Sequence, residues 1–321
     1  MIEVKSLCKQ FGIQTAVDDI SFSVNKGDVL GFLGPNGAGK STTMKMLAGF
    51  LTPTSGTAVI NGFDITQESL QVKSIIGYLP EGAPAYGDMT PLSFLDFVAR
   101  IRGYKKAERE QRINDVIEKI NLQSVIYKPI DTLSKGFKRR VGLAQAIIHD
   151  PPVLIMDEPT DGLDPNQKHE VRELIKTMAE DKAIIVSTHI LEEVQAVCTR
   201  ATIIAQGKLL FDGTPDELTA QSDQHNAVTV VLPASCDTVP IEKKIKSIDT
   251  VRRIKRQIVN NDTTRLTVIP QAGKNIINRI SELGRSENWP FEQIVLETGQ
   301  LDEVFRDITT QSDVIEKGSL S

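Results

Sequence analysis

The nonapeptide GPNGAGKST, Gly34 to Thr42, constrains this chain more than any other stretch. It fits G-x-x-x-x-G-K-[ST], with Gly34, Gly39, Lys40 and Ser41 in the fixed places. Glycines let backbone N–H groups turn inward around phosphate oxygens, and a helix that follows adds the positive end of its dipole. The whole run, through Pro35, Asn36, Gly37, Ala38 and Thr42, is therefore expected to bind a nucleotide. Lys40 is expected to reach the outer phosphates, and the Ser41 hydroxyl suits Mg2+. Both flanks agree. Asp28 to Leu33, DVLGFL, reads as a short continuous apolar strand of a parallel sheet. After the loop, Met44, Leu47 and Ala48 recur at helical spacing, and Gly49 lies where a helix stops. A glycine-rich turn without a ligand is the bland alternative, and the strand–loop–helix context disfavours it.

Three downstream stretches supply what a phosphate cradle needs for chemistry. PPVLIMDEPTDGLD, from Pro151, predicts a second buried strand over Val153 to Met156 that ends in Asp157 and Glu158. A carboxylate at a neighbouring strand end holds the Mg2+ shell in enzymes with such a loop, and Asp157 has that position. Glu158, one step on, is placed to orient or deprotonate an attacking water, provided it lies within hydrogen-bond reach of it. AIIVSTHILEEV, from Ala183, predicts a third strand closed by Ser187, Thr188 and His189. A lone histidine is more often structural, but this one sits at the carboxyl end of a parallel strand, where open α/β sheets bind ligands. DTLSKGFKRRVGLAQAIIHD, from Asp131, opens with small polar residues and continues as an amphipathic helix through Val141, Leu143, Ala144 and Ile147. Ser134 and Gly136 at its head offer a second anion site, or an ordinary capped helix.

Composition narrows the partners. The chain has 321 residues, 40% hydrophobic and 25% charged, which is room for a large domain plus a smaller one, or for two ordinary domains. A formal charge of -5 gives no basic footprint for nucleic acid. No apolar run approaches the ~20 residues of a spanning helix, and MIEVKSLCKQFG lacks a signal peptide's apolar core. Cys8, Cys198 and Cys236 are few and scattered, which reads as reduced thiols in a cytosolic protein.

Taken in order, GPNGAGKS, YLPE, LSKG, VLIMDEP, DGLD and STH resemble the ATP-binding subunit of ATP-binding cassette (ABC) transporters over roughly the first two-thirds of the chain. The set is highly specific, although LSKG alone would not be. The resemblance implies an ATPase with ATP and Mg2+ at the site. It implies Phe11, in KQFG, as the aromatic that stacks on adenine, with simple packing in the edge sheet as the alternative. Ser134 and Gly136 would contact the γ-phosphate held by the other subunit, Asp164 would lie at the subunit junction, and His189 would hold the γ-phosphate. Two places depart from the common pattern. Glu81 stands where a glutamine is usual, and as a hard oxygen ligand it suits Mg2+, or else it faces the permease. Lys135 and Phe137 replace Gly and Gln, as in exporter-type (ABC-2) members of the family.

The fold class expected is α/β: an ABC cassette with a parallel core sheet, an antiparallel edge sheet and a helical subdomain, then a small α+β ferredoxin-like domain. The cassette is expected over 1–220, with the helical subdomain at about 82–149, and the accessory domain over 221–321. Asn61-Gly62 marks a hairpin turn. Leu92, Leu95, Phe97 and Val98 form one expected apolar face, and Ile113, Val116, Ile117 and Ile120 another. In the family the helical insert docks the membrane permease, with Ala85, Tyr86 and Met89 near the contact. TAQSDQHN, from Thr219, reads as a polar linker. Beyond it the expected order is strand 228–232, helix 241–248, strands 251–259 and 264–269, helix 275–283 and strand 291–296, a βαββαβ pattern. A closing helix over 296–309 would pack Leu301, Val304 and Phe305. One loop and one signature cannot complete two composite sites within one chain, so a homodimer is expected, cytoplasmic and peripheral to the inner face of the membrane. A soluble non-transport ABC ATPase and a nucleotide-dependent regulatory module are the other function classes. The first usually carries two cassettes or long coiled coils, and Glu158 and His189 argue against the second.

Overall fold

Short apolar runs bounded by glycine, proline and polar turns become strands, and the computed structural model arranges them in three sheets. It describes residues 1–82, 86–259 and 263–318, with side chains described through residue 310; Ala85 lies outside the described residues. The chain forms two compact units, one built on Met1–Pro215 and the other on Asp216–Gln311.

The first unit runs β1 (Ile2–Phe11), β2 (Gln14–Val24), β3 (Val29–Leu33), α1 (Lys40–Leu47), β4 (Ser55–Ile60), β5 (Phe63–Asp64), α2 (Ser69–Ile75) and β6 (Ile76–Leu79). It continues through α3 (Pro91–Ile101), α4 (Lys106–Lys119), α5 (Lys135–Ile147), β7 (Val153–Asp157), α6 (Pro165–Ala179), β8 (Ala183–Thr188), α7 (Leu191–Val197), β9 (Arg200–Ala205) and β10 (Lys208–Gly213). An antiparallel sheet has the order β2-β1-β4-β5. Asn61 (φ 49°) and Gly62 (φ 93°) turn its β4–β5 hairpin with both central residues left-handed, as two-residue hairpins prefer. The central sheet has the order β10-β9-β3-β8-β7-β6, parallel except for β10.

Both faces of the central sheet are covered, which explains the unbroken apolar strands. Leu30, Phe32, Val153, Ile155 and Ile185 point to a core shared with α1 and the antiparallel sheet. Their neighbours Val29, Leu154, Met156, Ile184 and Val186 point to the opposite core, shared with α3, α4, α5 and α6. Ile113, Val116, Ile117 and Ile120 are all buried there, as their spacing predicts. Phe97 is not: it is 37% exposed, and Phe94, Leu95 and Ala99 fill the core instead. A residue two places from Leu95 lies about 200° round the helix, so the two cannot share a face.

In the second unit α8 (Pro215–Ala220) leads to β11 (Val228–Pro233), α9 (Thr238–Lys246), β12 (Val251–Val259), β13 (Thr263–Pro270), α10 (Ile277–Ser286), β14 (Gln293–Leu296) and the part of α11 (Leu301–Gly318) up to Gln311. The sheet order is β12-β13-β11-β14, every neighbouring pair antiparallel. Val228, Val230, Leu232, Ile245, Leu266 and Ile280 form its core. α9 starts earlier than its apolar pattern, because Asp237 caps it by accepting from the Val239 N–H at 3.0 Å. α10 starts later, because Asn275 turns the chain ahead of it and accepts from the Ile277 N–H at 3.1 Å. The stretch from Thr219 is not a solvated linker: Thr219 and Ser222 are buried, and the Ser222 hydroxyl accepts from the Gln300 N–H at 3.1 Å. That bond belongs to a turn, so the closing helix begins at Leu301 instead of 296. Leu301 and Val304 are buried as expected, and Phe305 is partly so.

Candidate functional site

Parallel pairing puts the carboxyl ends of β3, β8, β7 and β6 along one edge. Leu33 is level with Thr188, Asp157 with Ser187, and Leu79 with Met156. The residues that follow each strand therefore line up in a row: the glycine loop, His189, Glu158, then Pro80 and Glu81. Neighbouring strands are about 4.8 Å apart, so the row spans on the order of 15 Å, a nucleotide's dimension. Four segments far apart in sequence meet here because one sheet orders them.

The loop's two fixed glycines are dictated by close backbone approach. A Cβ on Gly34 would stand 2.3 Å from the Ile204 carbonyl oxygen, and one on Gly39 would stand 2.5 Å from that of Ala16. Gly39 (φ 110°) ends the loop as the N-cap of α1, so the N–H groups of Ser41 and Thr42 head the helix. Lys40 is buried, and its ammonium donates to the carbonyls of Gly34 at 2.6 Å and Pro35 at 3.1 Å. Burial holds its pKa below the ordinary lysine value, opposed by the charges of Glu158, Asp157 and Glu81. The Thr43 hydroxyl fixes the first turn by donating to Gly39 O at 2.9 Å.

Asp157 is 1% exposed. Its Oδ1 accepts from the Ser187 hydroxyl, while Oδ2 is buried with no hydrogen-bond partner. A buried carboxylate oxygen without a donor is costly, so the site is built for a further positive or hydrogen-bonding group. Glu158 adopts φ 51°, a left-handed conformation uncommon for a residue with a side chain. Its N–H is fixed by the carbonyl and hydroxyl oxygens of Ser187, at 3.0 and 3.2 Å. Its Oε1 lies 2.8 Å from Nδ1 of His189, whose ring is half exposed.

The other expected site residues divide. Phe11 ends β1 with half its surface exposed and the Lys9 ammonium 5.2 Å from its ring centroid, so it is not packed within the edge sheet. Glu81 is exposed just beyond β6 and adds its field at Lys40 without touching it. Ser134 is exposed and caps α5, accepting from the Phe137 N–H at 3.3 Å. Gly136 is buried, with the Gln167 side chain where a Cβ would go. Asp164 caps α6, accepting from the Gln167 N–H at 2.9 Å.

Two residues escape a sequence reading. Arg139, on α5, is buried and donates to the carbonyls of Pro80 at 2.7 Å and Glu158 at 2.6 Å, and also to that of Asp157. Glu193, on α7, is buried and accepts from the hydroxyls of Thr160 and Thr188, tying the chain after Glu158 to the residue before His189. The available signal was charge on a buried helix face, and a solvated face explains charge more simply.

No described helix is long and apolar enough to cross a membrane. The family model described as ABC transporter matches residues 17–161. An uncharacterized ABC transporter ATP-binding protein of Bacillus subtilis (strain 168), YxlF, is 39% identical over 230 residues, covering 72% of this chain and 76% of that protein. A probable multidrug ABC transporter ATP-binding protein of Escherichia coli (strain K12), YbhF, is 39% identical over 223 residues, 69% of this chain and 38% of that longer protein. A solved structure of an ATP binding subunit of an ABC transporter superposes with TM-score 0.64 at 31% identity, over 69% of this chain and 92% of that one.

Proposed function

The chain belongs to the ATP-binding proteins of ABC transporters, whose cassette binds ATP and is an ATPase, and from that premise we propose how its residues divide the work. The loop from Gly34 to Thr42 cradles the phosphates, and Lys40 leaves its loop carbonyls for the outer phosphate oxygens. Phe11 stacks on adenine. Glu158 takes a proton from the attacking water as the water oxygen bonds to the γ-phosphorus and the bond to the β–γ bridging oxygen breaks. His189 holds the γ-phosphate and the Glu158 carboxylate in one geometry. The observation that carries this reading is the 2.8 Å contact of Glu158 Oε1 with His189 Nδ1, on the sheet edge that also bears Lys40.

The residues present fit Mg2+. Asp157 Oδ2 is buried and unpartnered, and Ser41 heads α1. Among the described residues no cluster of three His, Cys, Asp or Glu would hold a metal alone. Mg2+ typically takes one or two carboxylates plus phosphate oxygens and water, so Asp157 and Ser41 suffice, with Glu81 a further ligand. When bound, the ion neutralises phosphate charge.

A second copy of the chain completes each site. Ser134, exposed at the head of α5, and the Gly136 backbone then meet the γ-phosphate held by the partner. The permease docks on the helical side of the cassette, where a groove of about 560 Å3 is lined by Phe50, Tyr78, Phe94 and Val98 with Lys73 and Arg102 beside them. The protein then works in the cytoplasm, peripheral to the inner face of the membrane. Export as the direction rests on the Lys135–Phe137 signature and on the multidrug relative. The cassette over 1–220, its helical part at about 82–149, and an accessory ferredoxin-like domain over 221–321 are our division of the chain. The split βαββαβ order of the second unit supports the last.

Glu158→Gln tests the base and the dimer together. It is expected to bind ATP, release phosphate on the order of 10³-fold more slowly, and sediment as a dimer with ATP and Mg2+. Normal turnover removes Glu158 as base, and a persistent monomer removes the composite site.

A further inference from the structure

We propose that Arg139 is a positioning residue for the hydrolytic step: it pins the backbone of Glu158 and ties the signature helix to the proposed base. The inference rests on Glu158 being that base, as argued above.

Glu158 leaves β7 in a left-handed turn, at φ 51°, and from there its carboxylate meets His189. Such a backbone is strained and persists only where its surroundings hold it. The amino side is held by Ser187, whose two oxygens accept from the Glu158 N–H. The carbonyl side is held by Arg139, whose NH2 group donates to Glu158 O at 2.6 Å. Removing either hand frees the peptide to relax toward an ordinary conformation, which would swing the carboxylate away from His189.

The bonding pattern of the guanidinium is informative. Arg139 stands beside four acidic residues, Asp157, Asp161, Glu158 and Glu81. Yet among the described residues it makes no ion pair with any carboxylate; its bonds go to the carbonyls of Pro80, Asp157 and Glu158. The carboxylates are left free for other work while a buried cation stands behind them. Arg139 lies one and a half turns into α5, the helix headed by Ser134, so a displacement of that helix moves the Glu158 peptide directly. The third carbonyl, Pro80, precedes Glu81 and extends the same tie to β6. One guanidinium, with its fixed fork of donors, thus joins three segments of the site.

A double-mutant cycle on the full chain separates this role from simple fold support. ATP affinity, the single-turnover hydrolysis rate and melting temperature are measured for wild type, Arg139→Met, Glu158→Gln and the pair. Arg139→Met is expected to lower the rate on the order of 100-fold, the scale of a misplaced catalytic group, with ATP affinity changed by less than about threefold. In the Glu158→Gln background the same change is expected to cost less than about threefold, because residues acting as a unit are strongly non-additive. Arg139→Lys, which keeps a cation and fewer donors, is expected to recover part of the rate, and it serves for the cycle if the Met variant does not fold. An equal fold-loss in both backgrounds, or a wild-type rate in Arg139→Met or Arg139→Lys, overturns the proposal and leaves Glu158 as base. Undiminished hydrolysis by Glu158→Gln overturns the base assignment and this inference with it.

Discussion

The molecule contains two differently managed sheets. At the carboxyl edge of the central sheet the chain tolerates what folding normally eliminates: a buried lysine, a carboxylate oxygen with no donor, and a left-handed glutamate. In the second unit, by contrast, Val230, Leu266 and Ile280 make an apolar core. Arg252, Arg253 and Lys244 are exposed and paired with Asp223 and Glu287. Among the described residues, every buried side-chain nitrogen or oxygen without a hydrogen-bond partner lies in the first unit. At that edge a buried lysine, an orphaned carboxylate oxygen and a left-handed glutamate coincide, although unpartnered buried polar atoms also occur away from it in the first unit, at Arg109 and His149.

Loss of Lys40 is expected to do the most damage to turnover. Its ammonium is desolvated and held only by loop carbonyls, so it is ready to trade them for phosphate oxygens. Lys40→Ala is expected to reduce phosphate release on the order of 10³-fold or more while leaving melting nearly unchanged. If the unit melts much lower and residual turnover stays high, Lys40 is a structural lysine. The reverse pattern is expected in the second unit. Leu266→Ala should destabilise that unit by about 2–5 kcal/mol, read by denaturant unfolding, without changing the rate per chain at saturating ATP.

His149 provides a test inside the first unit but away from the chemistry. Its Nε2 lies 3.0 Å from Ile76 O, its Nδ1 is buried without a partner, and burial first, then Arg102, pushes its pKa down from 6.5 to about 4. Well above pH 6.5 the ring is neutral in both states and contributes nothing to pH dependence. As pH falls from 6.5 toward 4 the unfolded chain takes up a proton that the folded chain refuses, so stability declines, and below 4 the loss levels off. Between pH 7 and pH 5 this amounts to on the order of 2 kcal/mol. Urea unfolding should show that decline in the wild type and a smaller one in His149→Gln. Equal declines would remove His149 as the source.

How much of this was legible in the sequence follows from how locally each feature is determined. GPNGAGKST prescribes its own backbone, and its flanking strand and helix were readable because burial on both faces demands continuous apolar runs. Asp157, Glu158 and His189 could be placed because each ends such a run. The left-handed turn at Glu158 was not legible, since it depends on Ser187 and Arg139, neither of which is local to it. By sequence, Arg139 and Arg140 are indistinguishable from the solvated side of an amphipathic helix. They are buried because α5 lies over strand and helix ends whose carbonyls need donors, those of Pro80 and Glu158 for Arg139 and of Ile120 for Arg140. Phe97 is exposed despite its apolar neighbours because a cluster of apolar residues over one turn does not fix which face is buried. The starts of α9 and α10 differ from the apolar pattern for a local reason: Asp237 caps the first, and an Asn275 side-chain turn precedes the second, so a polar side chain outweighs a run of apolar residues at a boundary.

The smallest effect is expected where the second unit carries its most conspicuous charges. Asp223 receives Arg252 at 2.5 Å and Arg253 at 2.7 Å, and the bond to Arg252 holds its carboxyl below the usual aspartate range. A depressed carboxyl contributes stability above its unfolded pKa and loses it as the solution is acidified. However, all three side chains are 40% exposed or more. Water and salt therefore screen the pair, and Asp223→Asn at pH 7 should cost less than about 1 kcal/mol, and less again at high ionic strength. The two arginines repel each other once the carboxylate is gone, so what loss there is should be partly relieved by adding Arg252→Gln to the variant. A loss of several kcal/mol that survives high salt would mean that this cluster is buried by a surface of the protein in solution, and that the second unit is not merely a passive module.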